Sequence, residues 1–138
     1  MIVVVDANEL FSLLIRGSKD SAEILFSNEV ELIAPEFIFL EFSNNKEEIL
    51  EKTHRNEEEF LEVLLIIKNK IKLIPEQEFE EFLDESRNLF PQHTKDVPYL
   101  ALALKYKCPV WSEEKLLKKQ DKIEILNTQE LIKRLREI

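Results

Sequence analysis

The chain has 138 residues and a mass of 16.4 kDa, enough for one domain with a full core and too little for two. Its apolar fraction of 44% and charged fraction of 34% describe a globular protein, and its longest apolar run, Tyr99 to Leu104, falls far short of the roughly 20 residues that span a bilayer. One glycine, one cysteine and two histidines exclude dinucleotide fingerprints, P-loops, internal disulfides and Cys/His zinc sites, while a net charge of −9 counts against generic affinity for nucleic acid phosphates.

Ile2 to Val5 is an all-apolar, β-branched run, the pattern of a strand buried on both faces. No basic leader precedes it, so no secretory signal is expected. Glu9 to Ile15, with Leu10, Phe11, Leu13 and Leu14, reads as a helix closed by Gly17, and Asp20 to Phe26 as a second helix capped by Ser18 or Asp20. Glu31 to Ala34 is a short strand. Pro35 then suits the first turn of a helix running from Glu36 to about Lys52. Asn56 caps a helix over Glu57 to Asn69, Ile71 to Ile74 is a strand, and Glu76 to Leu89 is helical. After the loop Phe90 to Thr94, a helix over Asp96 to Lys107 is predicted, with Thr94 as its cap. Pro109 to Ser112 is a strand, Glu113 to Lys119 a short helix, Ile123 to Leu126 a strand, and Thr128 to Arg136 a closing helix. Strands alternating with helices imply an α/β fold, a sandwich around a five-stranded parallel sheet, in one domain over residues 1–138.

In open parallel sheets the ligand crevice lies beyond the carboxyl ends of the strands, near the switch in strand order. The first strand delivers Asp6 to that edge, and Asn8 just after it. The strand ending at Trp111 delivers Ser112, Glu113 and Glu114. Glu41 sits amid Phe37, Ile38, Phe39, Leu40 and Phe42, on a helix apolar nearly all round, so its carboxylate is expected to be largely buried. A buried charge is costly unless paired or bound to a cation. Asp96 opens the helix that carries Leu100-Ala101-Leu102-Ala103-Leu104. Each acid alone has a plain structural reading, as a cap or a partner of a helix dipole. Gathered at one edge with no arginine in the same segments, they repel by roughly 3 kcal/mol per pair at about 5 Å. Such a cluster calls for protonation or for divalent cations, and oxygen donors suit Mg²⁺ or Mn²⁺.

These segments together resemble the PIN domain family. Asp6-Ala7-Asn8 after a hydrophobic strand looks like its opening motif, and Pro35-Glu36-Phe37-Ile38-Phe39-Leu40-Glu41 is similar to its second acidic motif. Asp96-Val97-Pro98-Tyr99-Leu100-Ala101-Leu102-Ala103 resembles the third, and Val110-Trp111-Ser112-Glu113-Glu114-Lys115 the fourth, where the family more often carries Asp than Glu. The resemblance implies a three-layer α/β/α sandwich and a Mg²⁺- or Mn²⁺-dependent ribonuclease acting on single-stranded RNA. Many such proteins are the toxin half of a toxin–antitoxin pair. By this resemblance Asp6, Glu41, Asp96 and Glu114 are the catalytic and metal-holding acids. Asn8 and Ser112 would orient ligands or water. A bound ion would activate water for in-line attack, leaving a 5′-phosphate and a 3′-hydroxyl.

Lys95, Lys115, Lys118 and Lys119 border the inferred cleft and are candidates to track RNA phosphates. His54 and His93 read as polar surface groups, and Trp111 and Cys108 as core. The apolar surplus on Phe37 to Leu50 and Phe60 to Ile67 predicts a homodimer. An antitoxin protein is a further possible partner, a membrane is not, and the lone cysteine suits the cytoplasm. The alternative reading is a catalytically weak PIN-like module that binds RNA or a protein. A carboxylate-dependent phosphatase ranks below it, because Asn8 occupies the place of the second acid such an enzyme needs.

Overall fold

The computed structural model describes the backbone of residues 1–138 and the side chains apart from that of Leu14, whose expected place in the first helix therefore lies outside the described side chains. Five strands, β1 (Ile2–Val5), β2 (Glu31–Pro35), β3 (Ile71–Ile74), β4 (Val110–Trp111) and β5 (Ile125–Leu126), form one parallel sheet in the order β3-β2-β1-β4-β5. Eight α-helices connect and cover them: α1 (Ala7–Arg16), α2 (Lys19–Leu25), α3 (Ile38–Asn44), α4 (Lys46–Thr53), α5 (Glu57–Lys70), α6 (Leu83–Leu89), α7 (Val97–Tyr106) and α8 (Thr128–Arg136). Successive strand residues face opposite sides of a sheet, and Val3, Val4 and Val5 are all fully buried. Both faces of the central strand are therefore covered, as an all-parallel sheet requires.

The order runs outward in one direction from β1 through β2 to β3 and in the other from β4 to β5. The switch point lies between β1 and β4, where Val5 pairs with Trp111 and the Asp6 N–H donates to the Trp111 carbonyl. Helix α7 packs across β1, β2 and β4. Its Leu100, Ala101, Leu102 and Ala103 are buried, and the two alanines leave room for close approach. Ser86 in α6, itself buried, donates to the Val97 carbonyl at 2.8 Å and so fixes where α7 begins.

Local chemistry sets most helix ends. Asp6, Ser18, Asn56 and Asn127 each accept a backbone N–H at the start of α1, α2, α5 and α8. Gly17 ends α1 at φ 58°, a left-handed conformation that suits a residue without a side chain.

The sequence expectation fails most clearly in the connections. Pro35 ends β2 rather than opening a helix, and the expected single helix from Glu36 to Lys52 is two, α3 and α4, broken at Asn45. The Asn45 side-chain amide donates to the Glu41 carbonyl at 2.8 Å, competing with helical pairing at the break. The expected helix over Glu76 to Leu89 begins as two 3₁₀ turns, Glu76–Glu78 and Glu80–Phe82, before α6. The short helix after β4 is a 3₁₀ segment, Lys115–Lys119.

Candidate active site

Asp6 and Ser112 leave adjacent central strands side by side. Asp6 is buried, and one carboxylate oxygen accepts the Glu9 N–H at 2.8 Å, so the residue does cap α1. The Ser112 hydroxyl also acts on this carboxyl, favouring its charged form. The Glu9 N–H and the Ser112 hydroxyl hold its pKa down, yet burial dominates and lifts it from 3.8 to about 6, helped by repulsion from Asp96 and Glu113.

Asp96 occupies the cap position of α7 without bonding to the helix backbone. Its carboxylate, half-buried, faces His93 instead, with Oδ2 3.7 Å from Nδ1. Burial raises its pKa, the histidine opposes that rise, Glu114 adds repulsion and Lys95 attraction. The expected cap, Thr94, lies in a 3₁₀ turn (Thr94–Asp96) before the helix.

Glu41 is half-buried, less enclosed than its apolar neighbours suggested, because Phe37 and Leu40 of the same segment stay exposed. The buried Tyr99 of α7 donates its hydroxyl to Glu41 Oε1 at 3.0 Å. Burial raises the Glu41 pKa, the tyrosine bond lowers it, and Asp96 raises it again. Burial, with Glu41, Asp6 and Asp96 nearby, drives the Tyr99 pKa upward, so the phenol stays protonated and remains a donor. The charge of Asp96 thus reaches both Asp6 and Glu41, and all three act on Tyr99 from separate parts of the chain.

Glu114 belongs to the same edge through its repulsion of Asp96, but it also caps the turn after β4, accepting the Leu116 N–H at 3.2 Å. Its own N–H donates to the Ser112 hydroxyl at 3.1 Å. Asn8 is exposed in the first turn of α1, and its side chain makes no hydrogen bond among the described residues. Of the four lysines, Lys95 acts on both Glu41 and Asp96, Lys118 is paired with Glu130, and Lys115 and Lys119 are exposed.

One acid at this edge escapes the motif reading. Glu9 is buried next to Asp6, and its pKa rises from 4.5 to about 7 through burial and the charges of Asp6 and Glu113. Asp6-Ala7-Asn8-Glu9 has the Asp-x-x-Glu spacing of a capping box, which is the signal that could have found it. Here the Glu113 backbone N–H lowers the Glu9 pKa a little, while the Asp6 N–H is spent on β4. Glu113 itself is held by Thr128, whose N–H and hydroxyl both donate to Oε1, at 2.8 and 2.6 Å.

The donors are all oxygen, and none of Asp6, Glu41 and Asp96 forms an ion pair with a lysine or arginine among the described residues. That chemistry suits a hard divalent cation. Among the described residues, however, no three His, Cys, Asp or Glu side chains are already arranged to hold a metal ion. The carboxylates are turned to hydroxyl, amide and imidazole partners instead. Among the described residues, no helix is long and apolar enough to cross a membrane.

No curated protein matches the chain. The profile of the PIN domain family matches residues 4–134. The PIN domain is generally a nuclease fold, its nucleases typically use divalent metals, and such a domain implies contact with nucleic acid. With the five-stranded parallel sheet in place and nearly the whole length matched, the chain belongs to the PIN domain family.

Proposed function

We propose that this chain, acting as one PIN-like domain over residues 1–138, is a divalent-metal-dependent ribonuclease that hydrolyses phosphodiester bonds in single-stranded RNA. The observation that carries the reading is the charge of Asp96 acting on both Asp6 and Glu41 near the β1/β4 switch point, with all three carboxyls raised in pKa by burial and none paired with a lysine or arginine among the described residues. Asp6, Glu41 and Asp96 would hold Mg²⁺ or Mn²⁺, with Glu114 assisting. A bound divalent cation supplies Lewis-acid polarisation and charge neutralisation at the phosphodiester. Ser112 orients Asp6, Tyr99 orients Glu41, and His93 faces Asp96. Asn8, exposed beside Asp6, is free to orient water or substrate, and Lys95, Lys115 and Lys119 offer charge to the RNA backbone. Lys118 joins them only by leaving Glu130.

The test is cleavage of a single-stranded RNA by the purified protein with Mn²⁺, against the Asp6→Asn variant. Metal-dependent cleavage lost in the variant supports the reading; intact RNA with both proteins rejects it. One observation favours the alternative, a catalytically weak module that binds RNA or a protein: Glu114 is committed to its own turn. That reading requires RNA or protein binding without cleavage.

A toxin role in a toxin–antitoxin pair, with an antitoxin as protein partner, is the finer form of this proposal. It predicts growth arrest on expression in a bacterial host, relieved by Asp6→Asn. A cytoplasmic setting suits the single free Cys108. We also propose a homodimer, supported by the exposure of Leu40 at 64%, Leu61 at 56% and Leu65 at 60%.

A further inference from the structure

Beside the acidic cluster lies a hollow of about 210 Å³, between the loop leading into α7 and the 3₁₀ segment after β4. Two of its lining residues belong to both places. His93 lines the hollow and faces Asp96 at 3.7 Å, and Leu116 lines it while donating its N–H to Glu114. The hollow therefore shares a rim with two of the four candidate acids.

Its lining is aromatic and apolar, with a few polar groups. Phe90 is buried and meets the His93 ring edge-on, with centroids 6.5 Å apart, which braces the imidazole as part of the wall. Leu116 leaves 47% of its surface exposed, unusual for a leucine with a hollow beside it to fill. Gln120 is wholly engaged by its own turn. It donates to the Leu117 and Ile123 carbonyls and accepts from the Lys122 and Ile123 N–H groups, all at 2.8 Å, so that side of the hollow is rigid. Gln92, in contrast, has no hydrogen-bond partner among the described residues, and Lys119 has no carboxylate partner among them although the chain carries a net charge of −9.

A ring wall, an exposed aliphatic side chain, one free amide and one free ammonium beside a phosphodiester-cleaving centre match the parts of a nucleotide. A base offers a planar face for stacking and an edge for an amide, and its phosphate seeks the lysine. A purely apolar peptide side chain would use neither the amide nor the ammonium. We propose that this hollow receives one unstacked base of the single-stranded RNA substrate, next to the bond that is cut, with His93 and Leu116 against its face, Gln92 at its edge and Lys119 on its phosphate. The proposal rests on the ribonuclease reading and adds to it a physical origin for single-strand selectivity, because a base in a duplex cannot leave its stack to enter.

The test is binding, measured with chelator present so that nothing is cut. Single-stranded RNA hexanucleotides are compared with the same oligomers carrying one abasic site, moved along position by position, on the unaltered protein and on the Gln92→Ala/Leu116→Ala variant. Both side chains are exposed, so the variant is expected to fold, and its melting curve checks this; either single substitution gives the same comparison. One position is expected at which losing the base weakens binding to the unaltered protein about tenfold. At that position the loss should largely vanish in the variant. An equal loss in both proteins, no position with a loss, or no binding of the hexanucleotides overturns the subsite. Mn²⁺-dependent cleavage is read separately. Coupling without cleavage keeps the subsite and removes the catalytic reading, and cleavage without coupling does the reverse.

Discussion

At Asp6 folding and chemistry meet in one carboxylate, since it caps α1 and also stands at the centre of the acidic edge. A carboxyl raised in the folded state binds more protons folded than unfolded. Its contribution is fully present below the unfolded pKa and is lost as pH rises through the folded one. For Asp6 that window runs from 3.8 to about 6, and for Glu9 from 4.5 to about 7. The metal-free protein should therefore lose stability as pH climbs through these windows. Asp6→Asn keeps an acceptor for the Glu9 N–H and removes the buried charge, so at neutral pH it should stabilise the metal-free fold by about 2 kcal/mol. Urea unfolding across pH checks both statements. A variant less stable than the parent at neutral pH would contradict the burial-driven shift. The same substitution is expected to abolish metal-dependent cleavage, a stability gain at the expense of function.

At the scale of elements, the turn after β4 is held from α8. The Trp111 indole N–H donates to the Thr128 hydroxyl at 3.0 Å, and Thr128 in turn holds Glu113. Thr128→Val leaves the indole N–H of a fully buried tryptophan unpaired and releases the Glu113 carboxylate. A loss of about 2 kcal/mol is expected in chemical unfolding, and a change below the noise of that measurement would show that the turn does not depend on this link. The elements best legible in the sequence are those with strong local signals. The all-valine centre of β1, the Gly17 stop, the Asn56 cap and α8 all stand where the pattern put them. The α3–α4 break was not legible, because Asn45 offers its side-chain amide to the Glu41 carbonyl only once the chain has turned. The 3₁₀ start before α6 was hidden by a helix-like composition. The four motif acids were read from strand ends, from the start of α7, from the apolar setting of Glu41 and from the family resemblance, and the structure sets Asp96 within reach of the charges of Asp6, Glu41 and Glu114. Glu9 and Tyr99 were not singled out, because each looks like helix filling until α7 and β4 are brought beside α1 and α3.

For the whole molecule, the order β3-β2-β1-β4-β5 gathers acids that lie far apart in the chain, and the excess of negative charge does not prevent this because burial keeps the nearest carboxyls partly protonated. Exposed Leu61 and Leu65, one helical turn apart on α5, give the proposed dimer a face. Light scattering should report two chains for the parent and one for Leu61→Glu/Leu65→Glu, with melting of the variant unchanged to within about 1 kcal/mol. A parent that is monomeric at every accessible concentration rejects the dimer and leaves the active-site reading untouched. That reading is tested most directly by crystals grown with Mn²⁺ and measured at the manganese absorption edge. An anomalous peak bonded to oxygens of Asp6, Glu41 and Asp96 is the expected result. A well-ordered site with no peak, or manganese bound elsewhere while those carboxylates keep their present partners, would contradict it.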